Sequence, residues 1–387
     1  MKETRRVYMD HSATTPVDPR VVTAMAPYRT TVFGNSESTH AEGVAARSAL
    51  ERARQNVAHV LDCYDSEVVF TGSGTEADNL AIRGAALAAR RDGRGDHIIT
   101  TPIEHPAVGH TVNQLSDLFG FRITRVPVDE FGMVDPDAVA AAIGPKTILV
   151  SVMMANNEVG SVQRIFRIGQ VCREREVLFH TDAVQAPGRL PLEPMAIHTD
   201  FLAISAHKFY GPKGVGALFV RRGVLLIPPI TGAGHERGLR PGTVDVAGAV
   251  GLATALQLAE SGRRTEAARL RALRDRLIEG VLSAVAESRL TGHPRHRLYH
   301  HASFAFRGVT GQSIVEALDQ VGIEASAGAA CHAGEAVPSS VLEAMGLTPD
   351  WSRGGLRLTL GRATTEADVD RVLAVLPGTV ERLRGGA

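Results

Sequence analysis

Seven short apolar runs punctuate the first 220 residues, each rich in β-branched side chains and each too brief for a helix. They are "EVVFT" (67–71), "HIITT" (97–101), "RITRVPV" (122–128), "TILVSVM" (147–153), "VLFHTD" (177–182), "FLAIS" (201–205) and "GALFVRR" (216–222). Between them lie stretches of helical spacing such as "EADNLAIRGAALAARRDG" (76–93), which closes on a glycine. Parallel strands need crossovers of helical length, so this alternation predicts an α/β fold with a mostly parallel sheet covered on both faces. After about residue 250 the rhythm changes. Residues 255–288 read as one or two long amphipathic helices with arginines on the wet face. "HASFAFRG", "GQSIVEALDQVGI" and "GLRLTLGR" then form a strand–helix–strand series suited to a smaller α+β domain. At 387 residues the chain can carry both, and the expected division is 17–255 for the large domain, with 1–16 and 256–387 forming the small one.

Several function classes are disfavoured by composition. Formal net charge is zero, and no run of like charges suggests a nucleic-acid arm. No stretch approaches about 18 continuous apolar residues, so no membrane span is expected, and the N-terminus lacks the apolar centre of a signal peptide. Cys63, Cys172 and Cys331 are odd in number and far apart, which argues against a disulfide framework and for a reducing cytoplasm. No metal-ligand spacing involves them, and no metal is expected.

Lysine is scarce: of 42 basic residues only Lys2, Lys146, Lys208 and Lys213 are lysine. Two of the four fall within "ISAHKFYGPKGVG" (204–216), among small residues and glycines. Of the two cationic side chains, lysine alone offers a primary amine that condenses with an aldehyde. In "VVFTGSGTEADN" (68–79) a strand runs through glycines into a helix, so backbone N–H groups and the helix N-terminus converge on a site for an anion. Gly72, Gly74 and Ala77 satisfy G-x-G-x-x-A, but the second strand ends without the acidic residue a dinucleotide fold requires, which favours a single phosphate cradle with Thr75 adding a hydroxyl. His105, Asn157, Asp182 with Gln185, and the Ser205–His207–Lys208 group all fall at or just beyond strand ends, where open α/β sheets bind ligands. Each alone has a plainer use, as loop histidine, turn former or helix cap. Together they supply an amine, a carboxylate, an imidazole that can stack and donors for a phosphate, the set that pyridoxal 5'-phosphate requires. Lys208 is the candidate amine, because Ser205 and His207 immediately precede it, while Lys213 suits the following turn.

Cys331 stands in "EASAGAACHAGEAVPSS", a run of small residues that predicts an exposed, mobile loop and an accessible thiol, with His332 beside it. Cys63 sits in a polar turn, and Cys172 falls beside Ile168 and Val171 on the buried side of a helix. Arg357 is a candidate clamp for a substrate carboxylate, with a structural ion pair as the competing use.

"YMDHSATTPVDPRV", "FTGSGTEADN", "TPIEHPAV", "ANNEVGSVQ", "HTDAVQA", "SAHKFYGPKGVGAL", "GHERGLRPGT", the Cys331 loop and "LRLTLGR" occur in one order from end to end. In this the chain resembles the NifS/IscS-like cysteine desulfurases of the class V aminotransferase family, which have the fold type I architecture of pyridoxal phosphate enzymes. The resemblance implies that Lys208 carries the cofactor, His105 stacks on its ring, and Asp182 and Gln185 meet the pyridine nitrogen and ring hydroxyl. It implies that Gly74, Thr75, Ser205 and His207 hold the phosphate, together with Thr243 from the other subunit of a homodimer. Asn157 and Arg357 would hold the carboxylate of L-cysteine, and Cys331 would accept sulfur as a persulfide for a protein or thiol acceptor. Two departures stand out. "CHAGEAVPSS" lacks the Thr-Ser pair usual after this cysteine in enzymes dedicated to iron–sulfur cluster assembly, and "GAACH" is similar to selenocysteine lyases as well. "GNSESTH" (34–40) has Ser36 and Glu37 where a proline and a small residue are usual. Selenocysteine lyase, and more remotely a non-catalytic sulfur-pathway scaffold, are the alternatives.

Overall fold

The computed structural model describes residues 5–328 and 338–385. In chain order the strands are β1 (Val7–Tyr8), β2 (Val68–Thr71), β3 (His97–Thr100), β4 (Arg122–Arg125), β5 (Thr147–Ser151), β6 (Leu178–Asp182), β7 (Phe201–Ser205), β8 (Gly216–Val220), β9 (Ser288–Leu290), β10 (His301–Phe306), β11 (Ile323–Glu324) and β12 (Gly355–Thr359). All seven apolar runs of the first 220 residues become strands of one sheet, ordered β2-β8-β7-β6-β5-β3-β4. β8 is antiparallel to both neighbours, and the pairs from β7 through β6, β5 and β3 to β4 are parallel. Every residue of β5, β7 and β8 is buried, as expected of strands covered on both faces, whereas edge strand β4 shows its two arginines to solvent.

Helices fill the crossovers for reasons visible in their ends. The helix Gly74–Arg91 starts at Ser73, whose side chain accepts the Glu76 N–H, and buries a run of alanines that lets it lie close on the sheet. Pro106 opens the helix Pro106–Phe119, and Gly120 closes it at φ 67°, a left-handed conformation that favours glycine.

The sequence beyond residue 245 forms a single helix, Val246–Ala284. Asp245 caps its first turn by accepting the Gly248 N–H. Its N-terminal part, through Ala259, packs into the hydrophobic cluster that also holds Phe179, Leu202 and Phe209. Leu270, Leu273, Leu277 and Val281 join a second cluster, with Phe304, Leu358 and Val372. That second cluster underlies the antiparallel sheet β12-β10-β9 and takes in Val7 and Met9 from the N-terminal segment. There β1 pairs in parallel with β11. The N-terminal chain then runs on to the carboxyl ends of the large sheet, where Thr15 bonds the His207 carbonyl.

Candidate active site

A cavity of about 410 Å³ opens at the carboxyl ends of the parallel strands, between the large sheet and β12. One wall is the start of the helix Gly74–Arg91. Ser73 Oγ accepts the Glu76 N–H and Ser73 O accepts the Ala77 N–H, while the Gly72 N–H goes to Glu76 Oε2 at 2.7 Å. The N–H groups of Gly74 and Thr75 therefore remain without an acceptor among the described residues, at the positive end of a long helix. A Cβ at Gly74 would lie 2.8 Å from Val184 Cγ2 and 3.1 Å from Ser205 Cβ, so only glycine keeps this wall open.

Opposite stands Lys208, on the short turn after β7. Its Nζ donates to the carbonyls of Ser12 and Ala13, both at 2.8 Å. Burial, with the nearby Arg357 and Arg189 guanidinium groups, pushes its amine down to about 8, against the pull of Asp182 and Asp10. His207, beside it, meets Thr14 Oγ1 through Nδ1 at 3.1 Å, and burial together with Lys208 and Lys213 lowers its imidazole to about 4. His207 is thus neutral near pH 7.

Asp182 ends β6, 6% exposed, and its Oδ1 accepts the Val184 N–H at 2.9 Å. Burial raises its carboxyl pKa, while His105, the Val184 N–H and Lys208 pull it back. His105 caps the helix Pro106–Phe119, and its Nδ1 accepts the Ala107 N–H at 3.1 Å. That bond places the proton of the neutral ring on Nε2, and burial keeps the ring below its ordinary pKa. Gln185 donates to the Ser12 carbonyl at 3.0 Å, which leaves its Oε1 buried without a partner.

On the β12 side, Arg357 donates to Asp10 Oδ1 at 2.7 Å and to the Asn157 carbonyl at 2.9 Å, while its Nε stays buried and unpartnered. The structural ion pair expected as the competing use of Arg357 is therefore present, and the side chain lines the cavity as well. Gly74, Thr75, His105, Asn157, Asp182, Gln185, Ser205, His207, Lys208 and Arg357 all come together here from six separate stretches of chain. Thr243 does not line the cavity and is exposed on the turn before Asp245. Cys331 and His332 lie outside the described residues; on either side of them, Gly328 and Ser339 approach Glu158, and Ser339 Oγ donates to Glu158 Oε2 at 2.6 Å. Cys172 is fully buried and Cys63 half-buried.

Sequence reasoning missed the acids behind this wall. Asp78 lines the cavity, its Oδ1 3.3 Å from His180 Nε2, and burial beside Asp182 and Glu104 raises its carboxyl well above the ordinary value. Glu104 accepts the Thr101 hydroxyl and the Met153 N–H, and burial pushes it up to about 8. One signal was available: Asp78 sits four residues after Gly74 and three after Thr75, on the same helix face as the cradle.

Known proteins resemble this chain along nearly its whole length. The family model described as "Aminotransferase class-V" matches residues 7–372. A protein of Methanosarcina thermophila named "Cysteine desulfurase IscS" is 46% identical over 382 residues, covering 99% of this chain and 94% of the relative. A solved structure titled "NIFS-LIKE PROTEIN" superposes with a TM-score of 0.91 at 36% identity, covering 98% of this chain and all of the other. Another, "SspA in complex with cysteine", gives a TM-score of 0.79 at 33% identity, covering 92% of this chain and 98% of that one.

Proposed function

This chain belongs to the class V aminotransferase family, among its cysteine desulfurases, and from that membership we propose that its cavity binds pyridoxal 5'-phosphate on Lys208 and removes sulfur from L-cysteine, giving L-alanine and a persulfide on Cys331. The single observation that carries the reading is the meeting of a depressed amine, Lys208, with a buried carboxylate, Asp182, across a cradle with free N–H groups. The donor set fits the cofactor. The Gly74 and Thr75 N–H groups with the Ser205 hydroxyl suit a phosphate, Asp182 suits a protonated pyridine nitrogen, and the orphaned Gln185 Oε1 suits the ring hydroxyl. His207 Nε2 and a Thr243 supplied by a second copy complete the phosphate contacts in this proposal. His105 offers a neutral ring to stack against. When bound, the group supplies an aldehyde that captures amines and a ring that stores the electron pair released at Cα.

The residues then divide the work. Arg357, through its unpartnered Nε, and the Asn157 side chain hold the substrate carboxylate. The Lys208 amine, held by the Ser12 and Ala13 carbonyls, takes the Cα proton onto Nζ. With its pKa near 8 it is neutral in a useful fraction of molecules near pH 7. Asp182 would meet a protonated pyridine nitrogen, and burial raises the carboxyl pKa of Asp78 and Glu104 nearby. The Cys331 thiolate attacks the substrate sulfur: the S–S bond forms as Cβ–S breaks, the bonding pair passes to carbon, and protonation there completes alanine. An outside thiol or protein then takes the terminal sulfur.

The same proposal includes a homodimer, a cytoplasmic location and the division at residue 255 within the helix Val246–Ala284. The two hydrophobic clusters support a division within this helix, with Ala259 in the first cluster and Leu270 in the second. No helix among the described residues is long and apolar enough to cross a membrane. The test is made on purified protein. Wild type should be yellow with bound cofactor, borohydride should bleach it and fix the cofactor on the Lys208 peptide, and L-cysteine should yield alanine. Cys331→Ala should keep the colour and lose turnover. Alanine formation undiminished in Cys331→Ala would remove the persulfide step, and turnover confined to L-selenocysteine would move the assignment to the lyase.

A further inference from the structure

Arg189 is a cation without an anion. It follows Asp182 by seven residues, on the turn Ala186–Leu190, and forms no ion pair with an Asp or Glu among the described residues. Its guanidinium bridges two backbone carbonyls instead: Nη1 donates to Gln185 O at 3.1 Å and Nη2 to Lys208 O at 3.0 Å. Those two residues stand on different strand ends, one after β6 and one after β7, and both line the cavity. The surroundings are otherwise unfavourable to charge. Burial lowers the pKa of Arg189 itself, the Tyr299 and Tyr210 hydroxyls act against that, Arg362 adds to it, and Glu266 lines the same pocket without pairing with it.

We propose that Arg189 is a positioning residue for Lys208: it ties the Lys208 backbone to the Gln185 turn, so fixing where the amine stands, and it keeps an uncompensated positive charge beside that amine. The proposal rests on the reading of Lys208 as the amine that takes the cofactor. Two cations, Arg357 on β12 and Arg189, act against protonation of the amine. Asp182 at the end of β6 and Asp10 on the N-terminal segment act for it. The imidazoles of His105 and His207 also face the amine, both kept below their ordinary pKa by burial. Arg357 and Asp10 are bonded to each other at 2.7 Å, so their effects on Lys208 partly offset. Arg357 is the larger of the two influences, but no carboxylate is bonded to Arg189 in that way, so its charge acts on the amine without a paired acid.

The scarcity of lysine makes a direct test possible. Full-length wild type, Arg189→Gln and Arg189→Lys are freed of cofactor and reductively methylated with formaldehyde and cyanoborohydride across neutral to alkaline pH. Modification of the Lys208 peptide is followed by mass spectrometry, with Lys146 and Lys213 as internal references. Loss of one neighbouring charge is expected to raise the Lys208 midpoint, so that Arg189→Gln is modified roughly fivefold more slowly at neutral pH while the references are unchanged. Arg189→Lys keeps the charge and should keep the wild-type midpoint, but one ammonium cannot grip two carbonyls in a fork, so its uptake of pyridoxal phosphate should slow. A folded Arg189→Gln protein with the wild-type Lys208 profile overturns the inference. Should that variant not fold, Arg189→Lys with both profile and cofactor uptake unchanged overturns it instead. Failure of borohydride to fix cofactor on Lys208 would sink the functional reading and leave the methylation profile free to be judged.

Discussion

Lys208 and Gly74 show how single side chains set both the chemistry and its energetic cost. The ordinary amine value is 10.5, and in the fold Lys208 is pushed down to about 8. The unfolded chain therefore binds this proton more tightly than the native one. The penalty is fully present below about pH 8 and disappears as pH rises toward 10.5, so in that window native stability increases with pH. Denaturant titrations of cofactor-free wild type and Lys208→Met at neutral and alkaline pH should show wild type gaining roughly 1–3 kcal/mol relative to the variant. A difference that stays constant with pH would mean the amine is not held down. At Gly74 the expected effect is steric. A methyl group 2.8 Å from Val184 Cγ2 must displace it, so Gly74→Ala should cost about 1–2 kcal/mol in a thermal melt and weaken cofactor binding about tenfold in an absorbance titration. At this scale the sequence was legible where a residue type is chemically unusual for its surroundings. A lysine in an arginine-rich chain, a carboxylate at a strand end and a glycine before a helix each announce themselves. Asp10, Asp78, Glu104 and Arg189 do not, because their importance comes from partners at least 19 residues away in sequence: Arg357, His180 and Met153 for the first three and, as proposed, Lys208 for the last.

Among the elements, the seven strands of the large sheet were all readable, six of them because burial on both faces demands apolar runs, and edge strand β4 because its apolar and β-branched run continues beyond the strand. Their order was not readable. β8 enters antiparallel between β2 and β7, a pairing that no local pattern encodes. The treatment of the β2 edge was equally hidden. Arg54 donates to Glu236 through Nη1 at 2.8 Å and Nη2 at 2.6 Å, and Glu236 Oε2 also accepts the Phe70 N–H at 2.7 Å. The Val68 carbonyl is taken by Arg54 and Arg237. Glu236 and Arg237 reach these places with φ of 48° and 58°, left-handed backbone that non-glycine residues adopt only at a cost. A loop that covers the free N–H and C=O groups of an edge strand also prevents it from pairing with another chain. Both members of the Arg54–Glu236 pair are buried, so removing one leaves the other charge stranded. Glu236→Ala should lower the unfolding free energy by about 3–5 kcal/mol and increase aggregation on refolding, as read by denaturant titration and light scattering. A loss below 1 kcal/mol would show that solvent reaches Arg54 and that the edge is not closed in this way.

Across the whole molecule, the cavity lies where the large sheet meets β12, and Arg357 is a side chain that bridges the two. It stands on β12 over the second cluster, yet it bonds the Asn157 carbonyl from the large-sheet side and Asp10 from the N-terminal segment. With two of its three nitrogens committed, the guanidinium is held in place before any ligand arrives, and a carboxylate can meet the unpartnered Nε without paying to order the side chain. This predicts that the two functions of Arg357 separate on substitution. Arg357→Lys loses the fork, so KM for L-cysteine should rise about a hundredfold with a smaller fall in kcat. Asp10→Asn keeps a hydrogen-bond acceptor but removes the charge, and it leaves the arginine freer to turn. Its KM should rise only several-fold, while the amine of Lys208 loses a neighbour that favours its proton and titrates lower. Steady-state kinetics with L-cysteine on both variants checks the first point, and methylation of Lys208 in cofactor-free Asp10→Asn checks the second. If Arg357→Lys lowered kcat and left KM unchanged, the guanidinium would be acting on the reaction rather than on the carboxylate, and the substrate's acid group would have to be sought nearer Asn157 and Ser12.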